Sequence, residues 1–105
     1  MPQPDLVYVC DLEDLPAGEA RAHDVEGYEL AFFNTGDEVY AIDRACPHQG
    51  ASLAEGEICG GSNVCCPEHG WMIDLMSGEV LERDWAHVAT YPVEIVDGKV
   101  YVQLG

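Results

Sequence analysis

Positive charge is scarce in this sequence, and long apolar runs are absent from it. Four Lys and Arg residues stand against twenty Asp and Glu residues, which gives a formal net charge of −16. A field of this sign repels nucleic acid and anionic membrane surfaces, so both are excluded as binding partners. No run of ~18 apolar residues could span a bilayer, and the first residues lack the basic and apolar regions of a signal peptide. The sequence therefore predicts a soluble, cytoplasmic protein.

The acidic residues are spread along the chain from Asp5 to Asp97 and do not form one tail. Two interpretations of this charge remain open. It steers the protein toward partners with basic surfaces, or it adapts the protein to high salt.

An export signal is missing, and the number of cysteines is odd. The five are Cys10, Cys46, Cys59, Cys65 and Cys66. In a reducing compartment this count argues against a disulfide framework and favours metal binding or buried thiols. Cys10 and Cys59 are interpreted as small apolar residues, and Cys65 as a buried thiol that points away from its neighbour Cys66.

The length and composition predict one domain that spans residues 1–105. Apolar, β-prone segments separated by turn formers predict strands, and the turns at 34–37 and 97–99 each predict a hairpin. A short helical turn is expected at 11–15, with Asp11 as its cap. The predicted strands are Leu6–Cys10, Tyr28–Phe33, Val39–Ile42, Val93–Val96 and Val100–Val102.

The middle of the chain, 44–83, is punctuated by Pro, Gly and Cys and is expected to consist mostly of loops. One small pattern recurs there: Cys-Pro-His at 46–48 and Cys-Pro-Glu-His at 66–69, each with a glycine close behind. Each loop thus offers one thiol and one imidazole. These two loops are the most informative feature of the sequence.

Seventeen residues separate His48 from Cys66, which is enough for two hairpin-like loops to bring four ligands together. Two thiols and two imidazoles also suit a tetrahedral structural zinc ion, although zinc sites usually pair Cys with Cys locally. A thiol enzyme that uses Cys66 with His69 is the weaker alternative, because no third orienting residue is evident.

The two loops resemble the cluster-binding boxes, C-x-H and C-x-x-H, of the Rieske family. The resemblance lies in Cys46-Pro-His-Gln-Gly-Ala-Ser-Leu53 and Cys66-Pro-Glu-His-Gly-Trp71, and it extends to the framework segments 38–43, 72–78 and 91–95. It covers about Val39 to Leu104. Both boxes, in this order and at this spacing, make a specific signal.

The resemblance implies an all-β fold, a Rieske-type antiparallel β-sandwich with a small inserted cluster-binding subdomain at about 43–83. It implies a Rieske-type [2Fe–2S] cluster as cofactor. Cys46 and Cys66 would hold one iron, and His48 and His69 the other, nearer the surface.

Among Rieske subgroups, the chain is most similar to the soluble ferredoxins of ring-hydroxylating dioxygenase systems. The membrane-anchored subunits of bc complexes carry an extra disulfide and a hydroxyl at positions that are Ala51, Glu68 and Trp71 here. The resemblance implies a one-electron carrier without catalysis of its own, which docks transiently through the cluster tip with a flavin reductase and a terminal oxygenase. The alternatives are the small Rieske subunit of an assimilatory nitrite reductase and a structural zinc module.

The locations of three further side chains near the boxes can be predicted. Trp71 is expected in the core and His87 at the surface or in packing. Trp85 is expected in a segment that covers the cluster, where the family often has prolines.

Overall fold

The computed structural model describes residues 6–45, 52–59, 62–66, 71–81 and 83–104, with the backbone alone at 83–85. Within these ranges the chain is built of short antiparallel strands, which confirms the all-β prediction. The strands are β1 Leu6–Asp11, β2 Ala20–Val25, β3 Tyr28–Asn34, β4 Val39–Asp43, β5 Glu57–Cys59, β6 Asn63–Cys65, β7 Met72–Asp74, β8 Glu79–Val80, β9 Arg83–His87, β10 Thr90–Tyr91, β11 Val93–Val96 and β12 Lys99–Gln103.

These strands form three sheets. The first has the order β1-β12-β11, the second β10-β4-β3-β2, and the third β5-β6-β7-β8-β9. The third sheet lies in sequence between β4 and β10, which are hydrogen-bonded neighbours in the second sheet. The chain therefore leaves the second sheet to build the third and returns beside its point of departure.

Both predicted hairpins are confirmed. In β3–β4, Phe33 is opposite Tyr40, and in β11–β12, Val96 is opposite Lys99. The second hairpin turns at Asp97 and Gly98, which have φ angles of 52° and 73°. Positive φ at both central residues is the turn geometry that Asp-Gly favours, because its twist matches that of the strands.

The middle sheet is covered on both faces. In β3, Leu30 and Phe32 belong to the buried cluster shared with β12, whereas Ala31 and Phe33 belong to the buried cluster shared with the third sheet. Neighbouring residues of a strand point to opposite faces, so a continuous apolar run marks a strand that is buried on both sides. The molecule is thus a stack of three sheets around two cores.

Two predictions about secondary structure need correction. The middle of the chain also holds the short strands β5 to β8 and the start of β9, which were not predicted, and β2 was not predicted either. The helical turn is a 3-10 turn at Leu12–Asp14, and the side chain of Asp11 does not cap it but accepts a hydrogen bond of 2.9 Å from the Tyr8 hydroxyl. Within the described ranges, no helix is long and apolar enough to cross a membrane.

Candidate metal centre

The first predicted ligand loop begins and ends in an antiparallel pair. Ala45 forms a β-bridge with Ser52, and the Leu53 N–H donates a 2.7 Å hydrogen bond to the Arg44 carbonyl. Residues 46–51 therefore connect two segments that run side by side in opposite directions. An antiparallel base of this kind suits the hairpin-like loop that the sequence predicts, and the loop itself lies outside the described residues.

Arg44 fixes the base of this loop to the middle sheet. Its N–H donates a 3.0 Å hydrogen bond to the Glu29 carbonyl, and its guanidinium lies 3.1 Å from the Glu29 carboxylate. The ion pair is partly exposed and adds little free energy by itself, but the backbone bond holds the loop base against β3.

The second predicted ligand loop has the same construction. Cys65 in β6 pairs with Met72 in β7, and the Cys66 N–H donates a 2.7 Å hydrogen bond to the Trp71 carbonyl. Cys66 is 4% exposed and Trp71 is 9% exposed, and both belong to the core beneath the third sheet. The prediction that Trp71 is a core residue is confirmed, and residues 67–70 connect the ends of the pair.

The bases of the two loops touch. A methyl group on Gly56, just after the first loop, would lie 2.2 Å from the Cys65 carbonyl oxygen and 3.2 Å from the Val64 side chain. Only a residue without a side chain allows this approach. The chain that leaves the first loop therefore runs directly against the strand that enters the second, as convergence of two ligand pairs requires.

Of the four predicted ligands, the structure describes Cys66. Cys46, His48 and His69 lie outside the described residues, so the meeting of all four stays a prediction. Within the described ranges no three metal-binding side chains come together, since three of the four predicted ligands are not among them. The side chain of Trp85 also lies outside the described residues.

Asp43 was not predicted as part of the site, yet it joins the strand that enters the inserted sheet to the strand that follows it. Its carboxylate accepts hydrogen bonds from the Tyr91 hydroxyl at 2.8 Å and from the Ala89 N–H at 3.1 Å. Its own N–H donates to the Ala89 carbonyl at 3.0 Å. No local sequence signal reveals this contact, because its members are more than forty positions apart in the chain.

Burial and the bond to Asp43 raise the pKa of Tyr91 to about 12. An unfolded tyrosine loses its proton at its ordinary pKa of 10.0, so between these values the unfolded state binds fewer protons than the folded state. The stabilisation is therefore complete below pH 10 and is lost as the pH rises toward 12.

Tyr91→Phe is expected to lower the free energy of unfolding by about 1 kcal/mol at neutral pH, because it removes a partly exposed hydrogen bond to a carboxylate. It should also remove the last step of an alkaline ultraviolet titration of tyrosine. Tyr28→Phe is the matched control, since the Tyr28 ring lies edge-on to Tyr91 with centroids 6.0 Å apart and phenylalanine preserves that contact. Equal unfolding free energies for the two variants would contradict the role of Asp43.

The prediction that Cys59 and Cys65 are separate thiols is wrong, because the two form a disulfide. The sequence gives no sign of this pairing, because β5 and β6 are only three residues long each. The two sulfurs meet through the register between these strands. By the chain-entropy account, closing so short a loop stabilises the fold by about 2 kcal/mol. Cys10, in contrast, is a free cysteine buried in the other core, which agrees with its interpretation as a small apolar residue, and His87 is exposed.

Residues 5–92 match the Rieske [2Fe–2S] domain family. The chain belongs to this family, whose fold and paired loops agree with the three-sheet structure and the two hairpin bases. It is an electron-carrier protein of the ferredoxin type and not itself an enzyme.

Three proteins of known name are similar to this chain in sequence or structure. The 3-phenylpropionate/cinnamic acid dioxygenase ferredoxin subunit of Escherichia coli strain K12 is 35% identical, with 93% of this chain and 92% of that protein covered. A solved complex of reduced oxygenase and oxidized ferredoxin in carbazole 1,9a-dioxygenase contains a chain with 30% identity and a TM-score of 0.83, with 96% and 94% covered. A structure described as a nitrite reductase NADPH small subunit has 25% identity and a TM-score of 0.85, with 94% and 98% covered.

Proposed function

We propose that this chain carries single electrons on a Rieske-type [2Fe–2S] cluster held by Cys46, His48, Cys66 and His69. The observation that carries the proposal is the contact between the two loop bases at Gly56 and Cys65. A bound cluster of this type supplies a one-electron couple between ferric and ferrous iron, with thiolates on one iron and imidazoles on the other.

The described residues fit such a group. Cys66 is buried at the base of its loop, where its backbone is fixed by Trp71 and water is largely excluded. Arg44 and Asp43 fix the other loop through Glu29 and Ala89, so both pairs of ligands would be presented by strands rather than by free loop ends. We further propose that residues 1–105 are one Rieske domain, with the cluster-binding subdomain at about 43–83.

Electron paramagnetic resonance of the dithionite-reduced protein tests the cofactor. Mixed nitrogen and sulfur ligation should give an average g value below that of ferredoxins with four cysteine ligands. Iron and acid-labile sulfide in equal amounts, with red-brown colour, should accompany the signal. A colourless protein that contains zinc would contradict the proposal and support the structural zinc module.

The partners that we propose are a flavin reductase as electron donor and a terminal ring-hydroxylating oxygenase as acceptor, which meet the protein transiently in the cytoplasm. Support comes from the dioxygenase ferredoxin relative and from the solved complex of such a ferredoxin with its oxygenase. The similarity to a nitrite reductase small subunit supports a second candidate function, in which the chain is permanently attached to a large nitrite reductase subunit. Affinity purification from the native cell separates the two, because only the second predicts a stable complex with a large subunit.

Charge supports partners with a basic docking surface. Two of the three basic side chains that the structure describes lie beside carboxylates: Arg21 is 2.6 Å from Glu19 and Arg44 is 3.1 Å from Glu29, so these two positive charges are partly neutralised. With a net charge of −16, the surface of the protein is therefore mainly negative.

Oxidation of the reduced protein by a cationic cobalt hexammine complex should slow by about tenfold or more as the salt concentration rises from ~0.01 M to ~1 M. Over this interval the Debye length falls from ~30 Å to ~3 Å and removes the attraction. Anionic ferricyanide is the matched control, and its rate should rise over the same range. The same salt dependence for both oxidants would contradict electrostatic steering, and a fold that is stable only in molar salt would favour the interpretation as salt adaptation.

A further inference from the structure

The disulfide between Cys59 and Cys65 links two neighbouring strands of the inserted sheet. In the β5–β6 pair, Cys59 is opposite Asn63 and Cys65 is opposite Glu57, so the cysteines are diagonal neighbours on the same face. Their Cα atoms are 6.3 Å apart. The alternate residues face the other way, where Val64 is fully buried. The bond is thus made on the outer face of the hairpin and not within the core.

Both cysteines are half-buried, in contrast to Cys10 and Cys66, which are buried. An open cavity of about 330 Å³ lies beside Cys65 and is lined also by Glu55, Gly56, Glu57 and Cys66. A thiolate attacks a disulfide only where it can reach one of the sulfurs, so accessibility decides whether a disulfide exchanges. The cavity gives a reductant access on the Cys65 side.

The strand that carries this bond leads directly into the second ligand loop. Cys65 is the last residue of β6, and Cys66 follows it with its N–H bonded to the Trp71 carbonyl. The Cys65 carbonyl is also the atom that Gly56 approaches from the first loop. A covalent link at Cys65 therefore acts where the bases of both loops meet.

We propose that the Cys59–Cys65 disulfide is a reducible crosslink, opened by a dithiol, and that its state sets how firmly the hairpin holds Cys66. A role toward the cluster rests on the proposed function, whereas the crosslink and its effect on the hairpin do not. In a reducing compartment the pair would spend part of its time as two thiols, and oxidising conditions would close it.

The exchange balances without any further reactant. A thiolate of the dithiol attacks the Cys65 sulfur, the Cys59–Cys65 bond breaks, and Cys59 leaves as a thiolate that takes a proton. The second thiol of the reductant then attacks its own sulfur in the mixed disulfide and releases Cys65 as a thiol. The reductant loses two electrons and two protons, and the protein gains both.

The first part of the test counts thiols in the full-length, cluster-containing protein. The protein is equilibrated in buffers that contain oxidised and reduced dithiothreitol in graded ratios, alkylated under denaturing conditions and analysed by mass spectrometry after digestion. Cys59 and Cys65 should become labelled together as the buffer becomes more reducing, while the labelling of Cys10 should not change. Full labelling of Cys59 and Cys65 in the most oxidising buffer would overturn the proposal.

The second part measures amide hydrogen exchange across 57–66. Opening the crosslink should speed exchange there by about tenfold or more, because the hairpin loses a constraint on its open states. The double variant Cys59→Ser with Cys65→Ser should show the fast rate in every buffer, and Cys10→Ser should behave as the unmodified protein. Reoxidation should restore the slow rate, which distinguishes the effect from misfolding of a variant.

Unchanged exchange in the reduced protein would overturn the proposal even where the thiols appear. Neither readout depends on iron. A missing Rieske signal in paramagnetic resonance would therefore indicate failure of the proposed function, while thiol counts and exchange rates decide this inference separately.

Discussion

Replacing His48 or His69 by serine is expected to eliminate the Rieske spectrum or to convert it to that of another iron–sulfur species. Each substitution removes one of the two imidazoles that hold the outer iron under the proposed ligation. The serine side chain is much shorter than that of histidine and carries no ring nitrogen to take its place. Visible absorption, paramagnetic resonance and the iron content of the purified variants measure the effect. We expect loss of most of the bound iron in each variant.

His87→Ser is the matched control for this prediction. His87 is exposed on β9 of the inserted sheet, so its replacement should leave the spectrum and the iron content unchanged. Far-ultraviolet circular dichroism of all three variants establishes whether the strands persist. A normal Rieske spectrum in the folded His48 and His69 variants would overturn the ligand assignment.

Gly56→Ala is expected to lower the free energy of unfolding by about 3 kcal/mol, the upper part of the range for overpacked sites. Gly56 has φ −80° and ψ 173°, an extended conformation that any residue adopts, so the backbone itself contributes no strain. The cost arises because the added methyl group would lie 2.2 Å from the Cys65 carbonyl oxygen. Backbone atoms on both sides must move, and they belong to the bases of the two ligand loops.

Gly27→Ala provides the comparison, because it has the opposite properties. A methyl group there meets nothing within 4 Å, but Gly27 has φ +88° and an alanine would be strained by about 1 kcal/mol. Urea unfolding of both variants gives the two free energies. If Gly56→Ala cost no more than Gly27→Ala, the close contact between the loop bases would be contradicted.

The parts of the fold that the sequence predicted correctly depend on local chemistry. The hairpin at Asp97-Gly98 is specified by two residues that tolerate positive φ, and β3 and β4 are specified by apolar runs around a turn. These signals lie within a few residues of one another. The strands of these two hairpins therefore form largely because of their local sequence.

The elements that escaped prediction depend on distant partners. Half of the residues in β2, Ala-Arg-Ala-His-Asp-Val, are polar and only Val25 favours a strand, so β2 forms because β3 offers it an edge to pair with along six residues. Strands β5 to β9 are two to five residues long, which is too short for a periodic pattern to stand out. Their order and register come from the sheet as a whole.

The candidate site divides in the same way. The spacing of Cys and His within each loop is local, so the sequence suggests a ligand set, which stays a prediction, and the structure supplies hairpin bases for both loops. The bond from Tyr91 to Asp43, the contact of Gly56 with Cys65 and the disulfide at Cys59 each depend on a register between separate strands. Contacts of this kind cannot be predicted from a single sequence.

The middle sheet has a consequence for how the molecule melts. Phe32 and Phe33 are neighbours in β3, yet they belong to different cores. Neither core can come apart without exposing one side of the strand that the other core needs for support. Cooperativity should therefore extend through the whole stack, and heating should give one calorimetric transition rather than a separate one for each core.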